Sequence, residues 1–150
     1  MQYKYLEHTA DLKFKAFGKT REELIENSGK ALCNAIIDLE KVEKKGEEII
    51  EIKARDFEEL LFQFLKEVLF EIDTNEFIFS EFKVKELTDN KLKVHCFGEK
   101  IDLKKHEIKT EIKAITKHGF KVEKEKEWTA IVLVDVWKWN SKKKQKEFMK

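Results

Sequence analysis

Seven apolar side chains between Phe57 and Leu69 set the tightest constraint on the fold. Phe57, Leu60, Leu61, Phe64, Leu65, Val68 and Leu69 recur at helical spacing. Together they cover a stripe wider than the two-position seam of a coiled coil. So broad a stripe calls for a flat partner, and the helix is expected to lie on a β-sheet. An amphipathic helix offered to another protein is the alternative. Asp56 and Glu59 form a capping pattern at its start, in which side-chain oxygens satisfy orphan helix amides. Thr20 and Glu23 repeat the device ahead of a second helix, where Leu24, Ser28, Ala31, Leu32 and Ala35 share a face.

Most of the remaining chain alternates with the period of strands. Tyr3 and Tyr5 form one such set; Leu12, Phe14 and Ala16, separated by Lys13 and Lys15, form another. Ile50, Ile52 and Ala54 follow, then Phe82 and Val84, and Leu92, Val94 and Cys96. Ile108 to Ala114, Phe120 with Val122, and the nearly continuous apolar run Trp128 to Val136 complete the series. Gly18, Asp89-Asn90 and His118-Gly119 mark turns, Gly98 reads as a strand end, and the charged run Glu40 to Glu48 reads as an exposed connection. This order predicts an α+β protein. Its expected form is a two-layer sandwich, with a largely antiparallel sheet covered on one side by two principal helices. Residues 1–136 read as one domain and residues 137–150 as a basic tail, in which Lys142, Lys143 and Lys144 follow Trp137 and Trp139.

A chain of 150 residues buries about two-thirds of its unfolded surface, enough for a core without disulfides. Cys33 and Cys96 fall inside a helical and a strand pattern and are expected to be buried thiols. The net charge is only +1 although 41% of residues are charged, which does not by itself point to nucleic acid. No apolar run reaches the roughly 18 residues of a membrane span, nor does the N-terminus carry a signal-peptide core, so a cytoplasmic protein is expected. His8, His95, His106 and His118 lack zinc-ligand spacing. The five glycines are isolated, and no serine sits in a nucleophile elbow.

Two acids stand out against the strand pattern. Asp135 interrupts the apolar run Trp128 to Val136, and Asp11 begins the strand that carries Phe14. A desolvated carboxylate is costly unless a cation, several N–H donors or a proton meets it. If the two converge at about 4 Å they repel by roughly 4 kcal/mol at an effective dielectric of about 20. A hard divalent cation between them removes that cost and takes oxygen ligands. In the competing reading Asp11 merely ends a strand at the surface and Asp135 pairs with a lysine.

Five stretches taken together resemble the archease family, the small proteins that assist the GTP-dependent tRNA-splicing ligase. They are Glu7-His8-Thr9-Ala10-Asp11; Gly18 with the helix begun by Leu24; and Asp56 to Leu61 running on to Glu67 through Phe70. Next comes Phe97-Gly98-Glu99 with Asp102 and His106, continuing into Ile112 through His118, and last Val132-Leu133-Val134-Asp135-Val136. The likeness covers residues 3–136. It implies an α+β two-layer fold and a site for a divalent ion, Ca²⁺ or Mg²⁺, built mainly from acidic side chains. Asp11 and Asp135 are carried over as metal ligands, and His8, Asp56 and His118 as possible neighbours. The implied partner is the ligase, which brings GTP and its own Mn²⁺. The chain departs from the family pattern at Lys117, Phe64 and Lys66, and in running on beyond Asp135, which would deny that aspartate a neighbouring terminal carboxylate.

Three functions follow as expectations. The first is a non-enzymatic activator that promotes ligase guanylylation and repeated turnover in tRNA splicing. The second is a stand-alone metal-dependent hydrolase using the same acids. The third is an RNA-binding or chaperone-like module that works through the basic tail, whose tryptophans and lysines could meet bases and phosphates.

Overall fold

The computed structural model describes residues 1–6 and 11–137. These residues form, in chain order, β1 (Tyr3–Leu6), β2 (Leu12–Gly18), α1 (Arg21–Ile36), β3 (Gly46–Lys53), α2 (Phe57–Asn75), β4 (Phe77–Leu87) and β5 (Lys91–Lys100). They continue with β6 (Ile112–Ile115), β7 (Lys121–Lys124) and β8 (Trp128–Val136); a single 3₁₀ turn spans Leu39–Lys41. Every strand pair is antiparallel. The α+β class, with antiparallel strands and two principal helices, is as the sequence predicts.

The strands divide into two sheets, where the periodicity had suggested one. The larger runs β1-β2-β8-β6, with β7 also paired to β8, and the smaller runs β3-β5-β4. Both helices touch both sheets, α1 against β2 and β4, and α2 against β3 and β6. The burial of α1 explains why. Leu24, Ser28, Ala31, Leu32 and Ala35 are buried as their shared face requires, but so are Ile25, Gly29, Cys33 and Ile36. A helix covered so far around needs layers on two sides. Gly29 admits the second layer, since a Cβ there would lie 2.8 Å from the Phe82 ring. Phe14, Leu24, Phe64, Phe79 and Val132 all belong to one apolar cluster that spans both sheets.

Both helix starts are capped. The Glu23 amide donates to Thr20 Oγ1 at 3.1 Å, and the Glu59 amide donates to Asp56 Oδ1 at 2.8 Å. Three local expectations need correction. Gly98 does not end a strand but lies within β5, where a Cβ would fall 1.8 Å from the Ile78 carbonyl oxygen. Such an approach, beside a register shift between Phe79 and Glu81, is what glycine permits inside a sheet. The charged connection is shorter than expected because β3 begins at Gly46. Of the run Ile108 to Ala114, only the part from Ile112 is strand. The preceding backbone bonds elsewhere, with Lys109 N–H donating to the Ile36 carbonyl at the end of α1.

The larger sheet has two unlike faces. Phe14 and Ala16 of β2 and Ala130, Val132 and Val134 of β8 point toward the helices and are fully buried. Alternation therefore sends Asp11, Lys13, Lys15 and Phe17 to the opposite face, with Thr129, Ile131, Leu133 and Asp135. Among the described residues no helix is long and apolar enough to cross a membrane.

Candidate functional site

The β2–β8 register places Leu12 opposite Val134 and Lys13 opposite Leu133. The ladder ends at Leu12, and continuing its register by one step through the bend at Asp11 carries that residue toward Asp135. Directly opposed positions of an antiparallel pair hold their Cβ atoms about 4.5–5.5 Å apart. The register thus directs two acids 124 positions apart in the chain (135 minus 11) toward one end of the same face. Both are half-buried. The cost foreseen for a carboxylate inside an apolar strand is accordingly smaller, because Asp135 faces away from the core. The lysine partner suggested by the competing reading is not seen, for Asp135 makes no ion pair among the described residues.

On the other flank of Asp135 lies Ala114, its register partner on β6. That methyl leaves room beside the carboxylates. Thr116 N–H donates to the Leu133 carbonyl, and the Thr116 hydroxyl lies 3.1 Å from the His118 carbonyl oxygen. Thr116 is therefore level with Leu133, and His118, two residues further on, is exposed in the turn after β6. His8 lies outside the described residues. Asp56 is elsewhere. Its neighbour Phe57 packs edge-on to Trp128 with ring centroids 5.5 Å apart, at the opposite end of β8. Seven residues separate Trp128 from Asp135, about 23 Å along a strand. Asp56 caps α2, and it does not join the acid pair.

Two opposed carboxylates suit a hard divalent cation, which takes six to eight oxygens and fills its remaining positions with carbonyls or water. Among the described residues no group of three or more His, Cys, Asp or Glu side chains gathers around them. Two such carboxylates can contribute oxygen ligands to a cation. The thiols of Cys33 and Cys96 are free, buried away from this face, and burial pushes Cys33 up to about 12.

A second polar cluster escaped the sequence reading. Glu99, 7% exposed, accepts from the Glu43 amide at 2.7 Å and from Lys105 Nζ at 2.8 and 3.1 Å. His106, 1% exposed, accepts the Asp102 amide at Nδ1, which leaves its proton on Nε2 between Glu99 and the Lys41 carbonyl, each at 3.1 Å. Burial works against a charged Glu99, but Lys105, the Glu43 amide and His106 outweigh it and hold the carboxyl down at about 2. This knot ties the 3₁₀ turn and the loop after β5 to the small sheet. The sequence marked Glu99, Asp102 and His106 only as part of a family-like stretch and not as a cluster, because Glu99 continues the alternation of β5 and the loop that covers it has no period.

Residues 3–136 match the model of the Archease protein family. The chain is 41% identical over 140 residues to "Protein archease" of Methanosarcina barkeri, covering 90% of this chain and 96% of that one. It is equally 41% identical to "Protein archease" of Pyrococcus furiosus, over 90% and 99%. The solution structure of protein 1598 of Methanobacterium thermoautotrophicum superposes with a TM-score of 0.76 at 32% identity, over 89% of this chain and 98% of the other. A Thermotoga maritima structure described as an archease and possible chaperone has the same fold, with a TM-score of 0.61 at 24% identity.

Proposed function

This chain belongs to the archease family, and on that premise we propose that it is an accessory activator of the GTP-dependent tRNA-splicing ligase. In this reading it promotes ligase guanylylation and multiple turnover and does not itself join RNA. The observation that supports the proposal is the β2–β8 register, which directs Asp11 and Asp135 toward one end of a sheet face that the described helices leave uncovered. A docking protein would act by presenting these acids to its partner.

The two carboxylates are the residues that would hold a Ca²⁺- or Mg²⁺-class ion, and Ala114 leaves the approach to them open. When bound, such an ion supplies a hard positive charge with positions left over for oxygen donors. Lys13, two residues from Asp11 on the same face, biases the surroundings toward anions. GTP and Mn²⁺ remain with the ligase. His8 and His118 are proposed as orienting neighbours, with Asp56 reserved for its helix.

Mixing the cognate ligase with substoichiometric amounts of the chain tests the reading, with guanylylation and repeated ligation as readouts. Stimulation by the natural sequence, and its loss in Asp11→Asn and Asp135→Asn, is the expected result. A natural sequence that leaves the ligase unchanged rejects the partnership. Undiminished stimulation by both variants rejects the acid pair as its instrument. Phosphodiester cleavage by the chain alone would instead favour the hydrolase.

A further inference from the structure

The acid pair occupies only one end of the helix-free face. Beyond it the charge reverses. Lys4 of β1 stands directly opposite Lys15 of β2, and Lys13 follows two residues along. Directly opposed like charges destabilise a sheet, so folding alone does not favour this arrangement. None of the three lysines makes an ion pair among the described residues. Two of them are gathered over one ring instead, with Lys4 Nζ 5.9 Å and Lys15 Nζ 5.4 Å from the Phe17 centroid. Apolar side chains fill the space between, since Lys15 lies opposite Ile131 and Lys13 opposite both Leu6 and Leu133. The spacing is about 4.8 Å across strands and 6.7 Å along them.

We propose that this face binds a single-stranded polynucleotide, its phosphates meeting Lys4, Lys13 and Lys15 and its bases meeting the apolar side chains between them. The charge of the lysine row selects an extended polyanion. The interleaved Leu6 and Ile131, both half-buried beside the buried Leu133, select one whose bases are unpaired, because a duplex would present only its phosphates to a flat sheet. The inference is independent of the ligase and of any cation at the acid pair.

Fluorescence anisotropy of the full chain with a labelled oligouridylate about fifteen nucleotides long tests it, run beside the matching oligothymidylate. Each neutralised phosphate of a single strand contributes about −0.7 to the slope of log affinity against log salt. Lys4→Gln/Lys13→Gln/Lys15→Gln should therefore flatten the slope by about 2 and weaken binding at least about tenfold near 0.1 M salt. Lys83→Gln/Lys91→Gln/Lys93→Gln makes the same change in net charge on the small sheet and should leave affinity within about twofold. Backbone amide shifts during titration should cluster on β2 and β8, a readout that survives if the triple variant folds poorly. Tighter binding of the uridylate assigns the strand as RNA; equal binding assigns the face to either nucleic acid. Four results overturn the proposal. They are no binding near 50 mM salt, equal losses in both triple variants, loss confined to a Lys142→Gln/Lys143→Gln/Lys144→Gln variant, or equal competition by poly-glutamate.

Discussion

The outer faces of the two sheets are built from the same residue types to opposite effect. On the small sheet acids and bases interleave. Lys93 is flanked by Glu51 and Glu86, and His95, between Ile49 and Lys83, bonds to Glu47. Only Lys53 opposite Lys91 breaks the alternation. The sheet's far end closes over the buried Glu99 with Lys105 and His106. On the large sheet the charges are sorted, with acid directed toward acid at one end and lysine opposite lysine further along. Charge that neighbours neutralise is part of folding. The lysines gathered with their own sign make no ion pair among the described residues and are available to an anion from outside the chain.

Substitutions can break that contrast, and the largest effect belongs to the small sheet. Gly98→Val drives a side chain into the Ile78 carbonyl and should cost more than about 4 kcal/mol or abolish folding. A urea midpoint close to that of the natural chain would refute the close approach of β4 and β5.

Glu99→Gln comes next. Breaking a buried charge pair costs about 3–5 kcal/mol, but Lys105 retains partial contact with water, so about 2 kcal/mol is expected at neutral pH. The sign with pH follows from the depressed carboxyl. Its stabilisation is complete above the ordinary value of 4.5 and is lost as pH falls toward about 2. Urea titrations of both proteins across that window should show their difference shrinking with acid. A constant difference would mean that Glu99 acts through shape, not charge.

Asp56→Ala should cost about 1 kcal/mol of stability by removing the cap of α2. Any thermal response to added Ca²⁺ should be unaltered in this variant, and a lost response would bring Asp56 back to the acid pair. The smallest effect has the opposite sign. In chelator, Asp135→Asn should stabilise the chain by a few tenths of a kcal/mol, since it relieves repulsion from Asp11. It should also abolish the rise in melting temperature that Ca²⁺ gives the natural sequence. A variant that melts earlier in chelator would show that Asp135 is held by a favourable contact within the fold.

Much of the fold could be read along the chain because its signals are local. The caps at Thr20 and Asp56 and the run Trp128–Val136 lie where the patterns put them. Gly98 misled for a physical reason. A glycine that turns the chain and a glycine that lets another strand approach look the same in sequence, and only the position of Ile78 separates them. The partition into two sheets was hidden likewise, because alternation reveals that a segment is a strand but not which strand it pairs with. Asp11 and Asp135 were legible as misplaced acids, whereas Glu99 was legible only as part of a family-like stretch, its bonds hidden until the loop through Lys105 and His106 folds over it.

The amino-acid order alone determined the elements, the capped helices, the apolar stripes and the two acids that strand chemistry does not favour, because each depends on neighbours within a few residues. Tertiary structure alone decided that those acids are directed toward one another, that Asp56 does not join them, and that lysines gather on the face they share. Register, a matter of distant segments meeting, carries all three, and no local period encodes it.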